Sequence, residues 1–169
     1  LTRDRLETLA AKEAEYIRPV LLFQAEDVNG EANVEALLAH LTSADGEKLD
    51  RNQIAVATGE QKELDGIVLA EPTCAIRYVI TVKALKEGWD CPFAYVLCSL
   101  QDMKSGKDVE QLLGRVLRMP YARARQQPEM AKAYAHVVSI ATARAADALA
   151  DRLVNNMGFE RYEAQMAIA

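Results

Sequence analysis

Five short apolar runs recur along the chain, and the stretches between them carry either helical spacing or turn residues. PVLLFQAE (19–26) is a continuous run of strand length, the pattern of a parallel strand covered on both faces. QIAVATG (53–59) predicts a second strand stopped by glycine, and IRYVITV (76–82) a third. AYVLCSL (94–100) and KAYAHVVSIA (132–141) predict a fourth and a fifth. Between them, ANVEALLAHLTS (32–43) has apolar residues at helical spacing and runs into Asp45-Gly46, a turn signal. Residues 3–14 read as an exposed helix, and 60–70 as a weaker one ended by Pro72. Further helices are predicted at 107–118 and about 142–156, with MPYARARQQPEM (119–130) a mobile loop bounded by two prolines. Strands alternating with helices define an α/β domain with a mostly parallel sheet of about five or six strands.

Composition changes this picture little. Of 169 residues, half are apolar and 27% charged, which is enough for one domain with its own core. No stretch approaches the ~20 apolar residues of a bilayer span, so no membrane is expected. The first dozen residues alternate charged and apolar side chains, unlike a signal peptide. Because the chain starts at Leu1, we expect a piece of a longer protein. Cys74, Cys91 and Cys98 lack CxxC spacing, and His40 and His136 stand far apart. Buried, reduced thiols in a cytoplasmic protein are expected, with no metal site.

Charge is distributed more informatively. The net charge is −5, yet residues 1–75 hold 7 basic against 15 acidic residues, and 76–169 hold 13 against 10. A site for a phosphate is expected in the second half.

Two segments there carry chemistry. In DVEQLLGRVLR (108–118), Gln111, Arg115 and Arg118 fall on one narrow helical stripe, with the leucines and valine opposite. Ser105 and Asp108 have the spacing of a capping box. Gly114 costs roughly 1 kcal/mol against alanine inside a helix, which suits close approach by another backbone or a ligand. Two guanidiniums and an amide suit a polyanion such as a triphosphate, although a solvated helix face with an incidental glycine has the same pattern. In KALKEGWDCP (83–92), Gly88 permits a turn, Asp90 is an acceptor for ribose hydroxyls, and Lys83 and Lys86 suit a phosphate backbone. Trp89 reads as an anchor on the core.

QxxGRxxR following a strand and an EGxD loop resembles motifs VI and V of superfamily 2 helicases. More narrowly, ITVKALKEGWDCPFAYVL (80–97) with DVEQLLGRVLRMP (108–120) looks like the second RecA-like domain of the helicase subunit of type III restriction enzymes and related DEAD/DEAH-box-type proteins. PVLLFQAE would be motif IV. The resemblance covers about residues 15–157 and implies a RecA-like three-layer α/β/α domain over 1–169, with 1–14 an N-terminal helix or linker. It implies Arg115 and Arg118 as arginine fingers toward the γ-phosphate of ATP held on a partner domain. Gln111, Gly88 and Asp90 would then be ATP-binding, and Thr81, Lys83 and Lys86 would contact nucleic acid. Thr81 stands seven residues before Gly88, where many of these helicases have a threonine six before.

The other half of such a site is missing from the sequence. No GxxxxGK[ST] occurs, and Gly106-Lys107 has Gln101 where the first glycine would stand. No Asp-Glu dipeptide follows an apolar strand, so a DExx box is also missing. Glu60-Gln61-Lys62 matches the ExK of restriction-type nucleases without the upstream Pro-Asp pair. The expectation is half of an ATPase site, inactive alone and binding no cofactor tightly. ATP and Mg²⁺ would be held chiefly by a first RecA-like domain on the same longer chain. DNA, bound weakly by this fragment, and a modification methyltransferase subunit are the other partners implied, with any endonuclease elsewhere in the longer protein. The alternative is a catalytically silent RecA-like interaction module; a complete nucleotide-binding enzyme does not fit a chain without a phosphate loop.

Overall fold

The computed structural model describes residues 2–82, 93–101 and 125–137. Helix α1 spans Thr2–Ala10, strand β1 Val20–Gln24, helix α2 Val34–Thr42 and strand β2 Ile54–Val56. Strand β3 follows at Tyr78–Thr81, β4 at Ala94–Ser99 and β5 at Tyr134–Val137. The five strands form one sheet in the order β2-β3-β1-β4-β5, and every pairing is parallel. This is the α/β architecture expected from the alternation of apolar runs and helical segments.

Strand β1 lies at the centre because VLLFQ can be covered on both sides. Its Val20 and Leu22 join Val79 and Ala55 in a core completed by Leu6 and Ala10 of α1. Leu21 and Phe23 pack toward the opposite core, where Leu37 and Leu41 of α2 meet Ile54, Val56 and Ile80. The sheet is thus a layer between two helices. Asn33 starts α2 by accepting the Ala36 N–H at 3.0 Å, one of the free donors every helix start leaves.

The turn after α2 requires glycine. The Glu47 and Leu49 N–H groups fold back onto the carbonyls of His40 and Leu41, at 3.2 and 2.8 Å. A Cβ on Gly46 would stand 1.8 Å from the His40 carbonyl oxygen.

Four expectations are corrected. First, residues 60–70 do not form a helix; they make turns. Ala57 bridges Lys62 antiparallel, Gly66 takes a left-handed φ of 78°, and the Glu63 carboxylate accepts the Val56 N–H at 2.8 Å. Leu69 reaches the core, with Leu64 and Ala70 packed partly against it. A tertiary contact has taken the carboxylate, and the glycine breaks the helical run. Second, α1 is not an exposed helix over 3–14: it ends at Ala10, and Arg3, Leu6 and Ala10 are buried. Third, the end of the 119–130 loop is anchored. Residues 128–131 form a 3₁₀ turn whose Met130 lies in the core; 119–124 lie outside the described residues. Fourth, Cys74 and Cys98 are half-buried free thiols rather than fully buried ones. Burial pushes the Cys98 thiol above its ordinary pKa. Cys91, the helices predicted at 107–118 and 142–156, and the end of the fifth apolar run lie outside the described residues. Among the described residues, no helix is long and apolar enough to cross a membrane.

Arg18, just before β1, is 1% exposed and donates chiefly to backbone. Its Nε reaches the Ile76 carbonyl at 2.9 Å, Nη1 the Glu71 carbonyl at 3.0 Å and the Tyr16 hydroxyl at 2.9 Å, and Nη2 the Leu69 carbonyl. One guanidinium thereby holds the irregular β2–β3 crossover against the sheet. Arg18→Met should leave three carbonyls without that donor, at about 1–3 kcal/mol for each one left buried. We expect a clearly lower urea midpoint for this variant. Gly46→Ala should cost about 2 kcal/mol by the same measurement, because the obstacle is backbone.

Candidate functional site

In a parallel sheet, ligands meet the loops at the carboxyl ends of the strands, where neighbouring strands send their connections in opposite directions. Here that place is beside β1, which leads to β2 on one side of the sheet while its neighbour β4 leads to β5 on the other. The three central strands end in polar residues, Gln24, Thr81 and Ser99, and the two outer ones in Val56 and Val137. Register sets Gln24 beside both Thr81 and Ser99.

These strand ends are joined by a side-chain network. Ser99 Oγ donates to Gln24 Oε1 at 2.8 Å, and Gln24 Nε2 donates to Gln101 Oε1 at 3.1 Å. Gln101 Nε2 in turn donates to the Ala25 carbonyl at 2.8 Å. Both amides also stand 3.5 Å from the Val82 carbonyl, long for a hydrogen bond. Gln24 is 8% exposed and Ser99 fully buried, so the polar groups must find partners inside the protein. Sequence reasoning did not single out Gln24 or Gln101. The available signal was a glutamine closing a run of four apolar residues.

Thr81, expected as a nucleic-acid contact, closes β3 at this edge and is 1% exposed. Lys83, Lys86, Gly88, Asp90, Gln111, Arg115 and Arg118 lie outside the described residues. The first segment that carries them follows Val82 in sequence, and the second follows Gln101. Both are therefore attached to one edge of the sheet, on opposite sides of β1.

Charge at the same edge is uneven. The turn after β1 holds Glu26, Asp27 and Glu31, with Glu35 in the first turn of α2. Glu26 closes this turn by accepting the Ala32 N–H at 2.8 Å. Phosphates are repelled from that part of the edge. Among the described residues, no group of three or more His, Cys, Asp or Glu side chains could hold a metal ion.

The chain returns to the sheet under the control of the N-terminal segment. Glu13 accepts the N–H groups of Gln126 and Gln127 at 3.2 and 2.8 Å. Glu15 lies 3.5 Å from Arg125, whose side chain is almost wholly buried, and Arg5 pairs with Glu129 at 3.1 Å. The segment expected as an N-terminal helix or linker thus carries helix α1 and is docked across the approach to β5.

No protein-family model and no curated protein matches this sequence.

Removal of the Glu13 carboxylate should loosen that docking locally. In Glu13→Ala, amide exchange at Gln126 and Gln127 should accelerate roughly tenfold, the loss of one charge-assisted bond, while β1 amides keep their protection.

Proposed function

We propose that this chain is the second motor domain of an ATP-dependent DNA helicase or translocase of the type III restriction-enzyme kind. One observation carries the reading: the segments bearing EGWD and QLLGRVLR are attached to the same carboxyl edge, flanking the central strand. A site in which both segments face one nucleotide, and the first also meets nucleic acid, needs that arrangement. The sequence pattern supplies the chemistry, and the sheet supplies the common edge.

In this mechanism the first RecA-like domain cradles ATP and holds Mg²⁺, which neutralises phosphate charge when bound. Arg115 and Arg118 approach the γ-phosphate across the cleft when the two domains close, stabilising charge in the transition state. Gln111 stands beside the same phosphate, and Gly88 and Asp90 line the nucleotide edge, with Asp90 at the ribose. Lys83 and Lys86 follow β3 and meet the DNA backbone, with Thr81 at the base of that loop. Hydrolysis removes the group that draws the domains together, and reopening shifts one domain along the strand.

In the protein carrying both domains, Arg115→Ala should lower ATP turnover roughly 10³-fold or more, with a much smaller effect on nucleotide binding. Arg118→Ala should act similarly, and the double variant should cost less than the sum of the two. Near-normal turnover in Arg115→Ala would favour a silent interaction module instead. The chain alone should bind single-stranded DNA weakly and with a shallow salt dependence, because few basic residues cluster at an otherwise acidic edge. Fluorescence anisotropy across a salt series measures this; tight binding with a steep slope would contradict it.

A further inference from the structure

The polar network at the carboxyl edge joins the end of β1 to the chain beyond β4. Gln24 belongs to the central strand, and Gln101 comes two residues after β4 ends. Their amides meet at 3.1 Å, Ser99 holds the far side of Gln24 at 2.8 Å, and Gln101 reaches the Ala25 carbonyl at 2.8 Å. On the other side of β1, the Ala25 N–H donates to the Thr81 carbonyl at 2.8 Å. A continuous path of hydrogen bonds therefore runs from Thr81, through Ala25 and Gln101, to Gln24 and Ser99. It crosses β1 from the end of β3 to the end of β4. Apolar packing at this edge has no directional preference, whereas paired amides accept one relative placement of the strand ends.

We infer that Gln24 and Gln101 are positioning residues, whose paired amides fix the end of β3 relative to the end of β4, where the two segments attach, so that nucleic acid met by one alters ATP turnover at the other. The inference rests on the motor-domain reading. Neither glutamine touches ATP or DNA in this account. A shift of either amide moves the base of one segment against the base of the other, and the closed pair then no longer distinguishes DNA-bound from DNA-free protein.

The test uses the protein with both motor domains and a single-stranded oligodeoxynucleotide, and reads the ratio of DNA-stimulated to unstimulated ATP turnover. Loss of folded protein scales both rates alike and leaves the ratio unchanged, so the ratio separates positioning from stability. Gln101→Leu removes both side-chain hydrogen bonds of Gln101 and should lower the ratio roughly tenfold, the factor expected when a buried hydrogen-bonding group loses its partner. Gln101→Glu keeps the acceptor for Gln24 Nε2 but sets a carboxylate oxygen against the Ala25 carbonyl in place of the donor, so it too should lower the ratio. This variant, close to glutamine in size and shape, remains informative if Gln101→Leu fails to fold. Arg115→Ala is run alongside. An unchanged ratio in both Gln101 variants, with Arg115→Ala inactive, would overturn the positioning role and leave the motor reading standing. Full turnover in Arg115→Ala would overturn both.

Discussion

Strand β1 has its backbone paired on both edges and its side chains covered on both faces, so the chain at either end must be satisfied inside the protein. At the amino end the answer is Arg18, whose guanidinium donates to carbonyls of the β2–β3 crossover. At the carboxyl end the answer is Gln24, paired with Ser99 and Gln101. One end consolidates the scaffold, and the other lies where the segments 83–92 and 102–124 leave the sheet. A buried polar group left unpaired costs enough to matter against the few kcal/mol of net stability of a domain. Both ends therefore constrain what the neighbouring segments can do.

The same logic explains why the two cores differ in construction. On the α2 side, apolar residues at helical spacing meet Ile54, Val56 and Ile80, and packing suffices. On the α1 side, a turn-rich crossover shares the core with a short helix, and polar contacts finish the work. There Arg3, buried beside Tyr78, pairs with Asp4 and Glu7, and Glu7 also pairs with Arg77 at 3.0 Å. Acidic residues near the N-terminus thus act as structural partners, and the charge imbalance of the first half is partly absorbed by the fold.

Much of this was legible in the sequence because strands covered on both faces need continuous apolar runs. PVLLFQAE, IRYVITV and AYVLCSL each hold a central strand within their limits. Asp45-Gly46 marked the close turn after α2. Residues 60–70 misled because their apolar positions resemble a helix face, while Gly66 and the Glu63–Val56 hydrogen bond decide the backbone. The docking of residues 2–15 was hidden for a related reason: Glu13 and Glu15 find partners more than a hundred positions away, beyond the reach of any local pattern. Arg115 and Arg118, which the sequence pattern singled out, lie outside the described residues, whereas at the candidate site Gln24 looked like the polar end of a strand. Its importance comes from register, which brings Ser99 and Gln101 to it.

The central claim is that this chain holds one half of an ATPase site. Phosphate release from the purified chain, with ATP and Mg²⁺, tests it most directly when repeated after adding a first RecA-like domain in trans. No turnover by the chain alone, with turnover restored by the added domain and raised further by DNA, is the predicted result. Mg²⁺-dependent turnover by the chain alone, abolished in Arg115→Ala, would contradict the account by showing a complete site within these residues.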